Sequence, residues 1–285
     1  MSLSLNPDVR KPRGAFVLLR NLVHERTGLY FDDDKNDIFL GKLEPLVVER
    51  GLASLLDYYY LLKDDPGSAD DWHKLFGALT VQESFFCREM EQIRALVDHI
   101  VPLYFLTHPH QTLNIWSAAC AAGEEPLTIA MALQEAGWFD RARINIYASD
   151  ASPRAIEAAR NGIYRKRSLR SLAPGLREKY FVSADGGIGN SWQAAGELHA
   201  RVHWRIANLT SEGDIALAAL ASPVIFCRNV LIYFSESAAR KTLSVFAERM
   251  PRPGYLFTGS AESLLNLTSE FELREIGAAF VYVTR

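Results

Sequence analysis

Only three cysteines, Cys87, Cys120 and Cys227, occur in 285 residues. They are odd in number and widely spaced, with no Cys-x-x-Cys pair, which excludes a disulfide scaffold and argues against zinc or a redox dithiol. A reducing, cytoplasmic setting and no metal centre are expected. Residues 1–30 carry Arg10, Lys11, Arg13 and Arg20 among their apolar positions and lack the apolar core of a signal peptide. No run reaches the roughly 18 apolar residues of a spanning helix, so neither secretion nor membrane insertion is expected. Strong charge of one sign is also missing: the net charge is −3 and the pI about 6.2, which gives nucleic acid no basic field to bind. Internal repeats and low-complexity segments are absent too.

What remains is 48% hydrophobic, enough for a sizeable core and more than one minimal domain. Residues 15–100 read as helical, with Phe16, Leu19 and Val23, then Phe39, Leu43, Leu46 and Val47 at helical spacing. Lys63 to Ser68 is a turn, and Thr107 to Gln111 a break. Beyond it, short apolar runs at Leu113 to Cys120, Ile144 to Ser149, Val224 to Cys227 and Tyr255 to Gly259 alternate with helices near 126–137, 152–161 and 236–249. That alternation predicts a doubly wound, Rossmann-like parallel sheet. Phe271 to Ile276 and Ala279 to Val283, with Gly277 between them, predict a C-terminal antiparallel hairpin. Residues 163–206 fit no strand–helix unit and read as a small insertion.

In such a sheet, ligands bind beyond the carboxyl ends of the strands. The first of these loops, Ala118 to Pro126, is small-residued but has one glycine where a dinucleotide fingerprint has three. Glu124 and Glu125 occupy the helix start where a pyrophosphate would lie. That pattern disfavours a nicotinamide or triphosphate nucleotide and favours a cofactor with a cationic part; helix-end stabilisation alone accounts for one of the two carboxylates. Asp150 ends the second strand, where a carboxylate can accept ribose hydroxyls; capping the next helix is the alternative, for which Ser152 is better placed. Arg228 and Asn229 follow a buried strand, where a ligand or an internal salt bridge must satisfy them. Cys227 reads as a packed apolar residue.

At these positions the chain resembles the CheR-type chemotaxis receptor glutamate O-methyltransferases. Five ordered blocks carry the likeness: Thr80 to Glu89 (TVQESFFCRE), Ile115 to Ala130 (IWSAACAAGEEPLTIA), Ala148 to Tyr164, Val224 to Phe234 (VIFCRNVLIYF) and Gly254 to Leu264 (GYLFTGSAESL). The resemblance implies a small helical N-terminal domain over 1–85, a linker helix and connection over 86–111, and an S-adenosylmethionine-dependent methyltransferase domain over 112–285 with a β insertion at 163–206. It implies S-adenosylmethionine as cofactor, S-adenosylhomocysteine as product, and a chemoreceptor cytoplasmic domain or similar protein as substrate. The implied cofactor contacts are Gln82, Ser84 and Arg88, from the family's Asn-x-Thr-x-x-x-Arg run, with Glu125, Asp150, Asn208, Leu209, Arg228 and Asn229. Arg88 and Tyr233 are implied to lie near the transferred methyl.

The chain departs from that pattern in having Gln82 for asparagine, Ser84 for threonine and Cys87 for phenylalanine. Residues 1–85 hold ten Lys and Arg against fourteen Asp and Glu, whereas the family presents a basic helical face to an acidic receptor. Local cations such as Lys35, Lys42 and Arg50 are expected to supply that face here. Other readings of the residues are a methyltransferase of another substrate class or a non-catalytic module that binds the same cofactor.

Overall fold

The computed structural model describes residues 13–80, 84–184, 186, 190–219 and 222–285. It forms two units. One gathers the N-terminal helices with residues 233–235; the other holds the remainder from residue 82 onward.

The helical unit contains α1 (Arg13–Thr27), α2 (Asn36–Glu49), α3 (Leu55–Asp64) and α4 (Ala69–Leu79). Leu19 and Val23 on α1, and Phe39, Leu43 and Val47 on α2, recur every four residues, so each set lies on one face and is buried. They close on Tyr58, Leu62, Trp72 and Leu75. Ser54 caps α3 by accepting the Asp57 amide at 3.2 Å. The chain returns to this unit at residues 233–235: Leu29 and Phe234 form a β-bridge, and the Tyr30 amide donates to the Tyr233 carbonyl at 2.8 Å.

The cations expected to form a recognition face are engaged within the unit. Lys42 donates to the carbonyls of Ala78 and Leu79 at 2.8 and 3.2 Å, capping the end of α4, and burial lowers its pKa. Arg50 pairs with Asp71 at 3.3 Å and Lys35 with Asp32 at 3.9 Å. Lys42 is therefore a structural cap.

The second unit opens with a non-helical segment, residues 84–89, that leads into α5 (Met90–Ala95), a π turn (Leu96–Ile100) and α6 (Val101–Thr107). Cys87 and Glu89 take left-handed backbone conformations, with φ of 63° and 53°. The helical character expected throughout residues 15–100 is thus interrupted here by a tight turn.

Among the described residues the strands that follow are β1 (Leu113–Ala118), β2 (Ile144–Asp150), β3 (Ile163–Arg165), β4 (Phe181–Ser183), β5 (Ser191–Ala194), β6 (Val202–Ile206), β7 (Val224–Cys227), β8 (Tyr255–Phe257), β9 (Phe271–Ile276) and β10 (Ala279–Thr284). The main sheet has the order β6-β2-β1-β7-β8-β10-β9, parallel from β6 to β8 and closed by the antiparallel β9–β10 hairpin. α7 (Glu124–Glu135) and α8 (Trp138–Arg141) cross from β1 to β2, α9 (Pro153–Asn161) follows β2, and α10 (Pro174–Tyr180) and α11 (Gly196–His199) flank the small sheet. α12 (Glu212–Ala219) and α13 (Glu236–Arg249) complete the crossovers. Leu113, Ile115, Ile146, Val224, Phe226 and Phe257 fill the core, with Phe226 and Phe257 stacked at 4.2 Å.

The small sheet, β3-β5-β4, lies within the expected insertion, but β6 does not belong to it: Val202–Ile206 pairs in parallel with β2 at the edge of the main sheet. Only Val202 of β6 is buried. His203, Trp204 and Arg205 give it no apolar run, which is why it does not read as a strand in the sequence.

Among the described residues, no helix is long and apolar enough to cross a membrane, and no group of three or more His, Cys, Asp or Glu could hold a metal ion. His199 and His203 stand four residues apart in sequence but have other partners. His199 Nε2 lies 2.8 Å from the Ala159 carbonyl, and the His203 ring stacks on Tyr147.

Candidate functional site

Among the described residues, the loops at the carboxyl ends of the parallel strands are 119–123 after β1, 150–152 after β2, 207–210 after β6, 228–232 after β7 and 258–262 after β8. In the first, Ala119, Ala121 and Gly123 are left-handed, with φ of 58°, 49° and 95°. Gly123 is required twice over, because a Cβ there would also lie 2.7 Å from the Trp204 ring. The small side chains expose backbone to a ligand approaching over the sheet.

Asp150 closes that loop. Its Oδ2 accepts the Ala121 amide at 3.0 Å and its Oδ1 the Ser152 amide at 2.9 Å. Ser152 Oγ accepts the Ala155 amide at 3.3 Å and so caps α9, leaving Asp150 outside the helix-capping role. Burial pushes the Asp150 carboxyl above its ordinary pKa, while the Ser152 and Ala121 amides hold it down. Each oxygen has one protein donor and keeps a free lone pair, so two hydroxyl donors can still be received. The Asp150 carbonyl accepts the Ala207 amide at 3.1 Å, which brings the end of β6 alongside. Asn208 follows there, with its amide on Asp214 at 2.9 Å and its side chain folded onto Thr210. Leu209 is buried, and its carbonyl accepts Thr242 at 2.8 Å.

The two glutamates at the start of α7 diverge. Glu124 accepts Ser168 Oγ at 2.9 Å on one oxygen, and its other oxygen is buried without a hydrogen-bond partner. Glu125 accepts Ser117 Oγ at 2.6 Å and pairs with Arg228 at 3.3 Å. Burial raises both pKa values; Ser168 and Arg170 oppose this at Glu124, and Arg228 and Ser117 at Glu125.

Arg228 is the centre of a charge network. Its side chain is only 3% exposed and pairs with Glu125 and Glu89, each at 3.3 Å. Its Nη2 donates to the Arg88 carbonyl at 2.9 Å, while Nε has no partner. Arg88 is about one-third exposed and lies 3.7 Å from Glu89. Its Nη2 donates to Asn229 Oδ1 at 2.6 Å. Asn229 is left-handed, with φ of 59°. The Glu262 carboxylate accepts the amides of Asn229, Val230, Ile232 and Gly259 at 2.6, 2.9, 3.2 and 2.7 Å.

Arg88, Glu125, Arg228 and Asn229 are thereby joined in one network, and Asp150, Asn208 and Leu209 gather at the ends of β2 and β6. Gln82 lies outside the described residues. Ser84 is half-buried on the non-helical segment, and Tyr233 belongs to the helical unit. Arg228 is held in ion pairs with Glu125 and Glu89. Sequence reading missed Glu89 and Glu262. Both lie inside conspicuous motif blocks, and an acid amid small or aromatic residues is a signal of a buried carboxylate with amide or guanidinium donors.

The buried carboxylates at the strand ends fit a cofactor that is cationic and carries ribose hydroxyls. The first loop places Glu124 and Glu125 at the start of α7, where a pyrophosphate would lie, and so does not fit a dinucleotide. Residues 82–280 match the family model for the CheR methyltransferase, SAM binding domain, and residues 14–80 that for the CheR methyltransferase, all-alpha domain. A chemotaxis protein methyltransferase 2 of Vibrio cholerae is 30% identical, over 91% of this chain and 88% of its own. The chemotaxis protein methyltransferase of Salmonella typhimurium is 31% identical, over 91% and 87%. A magnesium protoporphyrin IX methyltransferase from Synechocystis PCC 6803, with bound SAM, aligns at 15% identity over 79% of this chain and 91% of that one, with a TM-score of 0.34. The chain belongs to the CheR methyltransferase family and is an S-adenosylmethionine-dependent methyltransferase.

Proposed function

We propose that this protein forms methyl esters on glutamates of a chemoreceptor's cytoplasmic domain, and that it works in the cytoplasm. Residues 1–85 would recognise the receptor, 86–111 connect, and 112–285 carry the chemistry. The reading rests on one observation above the others: the charge network that leads from Glu125 through Arg228 and Asn229 to the Arg88 guanidinium at the strand ends.

When bound, S-adenosylmethionine supplies a methyl group on a cationic sulfur, which passes to a carboxylate oxygen as neutral S-adenosylhomocysteine departs. Asp150 would receive the ribose hydroxyls and Glu125 would face the cationic part, with Gln82, Ser84, Asn208, Leu209, Arg228 and Asn229 lining the remainder. An acceptor glutamate, of ordinary pKa about 4.3, is already ionised at neutral pH, so no general base is needed. The protein's task is alignment and exclusion of water. Arg88 would orient the acceptor carboxylate with its planar fork, and Tyr233 would lie near the reacting methyl.

Calorimetric titration with S-adenosylhomocysteine and NAD, followed by transfer of labelled methyl to a chemoreceptor cytoplasmic fragment, tests the reading. Binding of the first ligand alone and base-labile label on glutamate are expected. Label on another residue type, or no transfer at all, would overturn it.

A further inference from the structure

We propose that Glu262 is a positioning residue for methyl transfer: by clamping the 229–232 turn it fixes Asn229, which in turn aims the Arg88 guanidinium. The inference deepens the proposed function, and rests on Arg88 acting in that reaction.

Glu262 follows β8, and Asn229 follows β7, so two loops at the carboxyl ends of adjacent strands must be held in register. The buried Glu262 carboxylate does so with both oxygens. Oε1 accepts the Val230 and Ile232 amides, and Oε2 accepts the Asn229 and Gly259 amides. Three of these donors belong to the turn that starts at left-handed Asn229, a conformation that costs free energy in a non-glycine residue and needs outside support. The Glu262 loop is braced in turn, since its own amide donates to the Gly259 carbonyl at 2.9 Å and its carbonyl accepts Thr258 Oγ1 at 3.1 Å.

The Asn229 side chain is then confined from behind. A Cβ on Gly259 would lie 2.8 Å from both Cγ and Oδ1 of Asn229, so the amide group rests directly against the glycine backbone. The same Oδ1 accepts Arg88 Nη2 at 2.6 Å. A turn held for its own sake would need neither the close approach at Gly259 nor the outward bond to Arg88. Both features put the acceptor oxygen of Asn229 at one place, and with it one edge of the guanidinium.

A carboxylate is the group this requires. Glutamine would keep one acceptor oxygen and turn an NH2 toward two amide donors, so half the clamp would be lost with almost no change in volume. Gly259→Ala perturbs the same relay independently, by pushing on the Asn229 side chain while leaving Glu262 intact.

The test uses the full chain. The Arg88 guanidinium NH signals are assigned by NMR through their loss in Arg88→Lys, and kcat and KM are measured with S-adenosylmethionine and a chemoreceptor cytoplasmic fragment. Glu262→Gln and Gly259→Ala should each release Arg88, averaging its guanidinium signals by free rotation. They should lower kcat by roughly 10- to 100-fold, the range that a small misplacement of a reacting group produces. In an Arg88→Lys background the same substitutions should have little further effect on kcat. An Arg88 signal unchanged in both folded variants, or kcat losses that simply multiply with that of Arg88→Lys, would overturn the inference, because a purely structural clamp behaves in that way. If Arg88→Lys itself leaves kcat untouched, the catalytic role of Arg88 fails and the relay to it fails as a device for methyl transfer. If no fragment is methylated, the substrate reading fails separately, and the NMR signals still decide whether Glu262 positions Arg88.

Discussion

Arg228 and Glu125 face each other at 3.3 Å inside the second unit, with side chains 3% and 16% exposed. Two groups so far from water gain little net stability from their pairing, but either one left alone is costly. Arg228→Met should therefore destabilise the protein by about 3–5 kcal/mol, since it strands both Glu125 and Glu89. Adding Glu125→Gln should recover part of the loss. Urea unfolding of the single and double variants checks this, and strictly additive losses would show the pair to be uncoupled.

Asp150 offers free lone pairs beside the small-residue loop while its protein bonds are only to amides. Asp150→Ala should weaken binding of S-adenosylhomocysteine by roughly 1.5–3 kcal/mol, as for a lost hydrogen bond to a charged group. Titration calorimetry on a folded variant measures it, and unchanged affinity would remove Asp150 from the ribose role.

β1, β2, β7 and β8 were legible because they are apolar runs followed by small or charged residues, and the C-terminal hairpin is marked by Gly277 and its alternating flanks. Two features were hidden. β6 is a polar edge strand, recognisable only from the register it forms with β2. The turn at 84–89 depends on Cys87 and Glu89 adopting left-handed backbone that no local propensity signals, so a helical reading of Ser84 to Arg88 follows naturally from spacing alone. The role of Arg228 was half legible. Its burial after an apolar strand demanded a partner, but whether that partner was a ligand or Glu125 depended on how distant segments pack.

Burial raises the pKa of Glu124, and its partner Ser168 only partly offsets this. A carboxyl whose folded pKa exceeds its unfolded value contributes stability that is fully present below about 4.3 and is lost as pH rises through the raised folded value. Glutamine mimics the protonated form, so the stability of Glu124→Gln relative to the parent should be greatest near neutrality and fall as pH drops toward 4. Thermal unfolding of both proteins across that range is the measurement, and a difference independent of pH would contradict the direction.

Ligand binding carries the opposite dependence. Glu125 and Asp150 are both raised by burial, and each is proposed to meet the ligand in its charged form. Affinity for S-adenosylhomocysteine should be level near neutral pH and weaken on acidification as the first raised carboxyl takes its proton, above the ordinary carboxylate range. A titration series from pH 8 to 5 tests this, and affinity that is flat throughout would mean neither carboxylate needs its charge.

Arg88 is the residue on which the proposed chemistry turns, and three roles for it predict different kinetics. A surface arginine paired with Glu89 would contribute little, because such exposed pairs are worth about 0–1 kcal/mol. The structure gives it more than that: it is only one-third exposed, bonds Asn229 at 2.6 Å, and belongs to a turn whose carbonyl is tied to Arg228. If its planar fork aligns the acceptor carboxylate in the transition state, lysine is a poor replacement, offering a point charge without the paired geometry. Arg88→Lys should then cut kcat strongly while affinity for S-adenosylhomocysteine changes little. If Arg88 instead anchors the cofactor, that affinity falls and kcat at saturation survives. Measuring both constants in one variant separates the two, and wild-type values for both would leave Arg88 as a surface residue and require another group to orient the substrate.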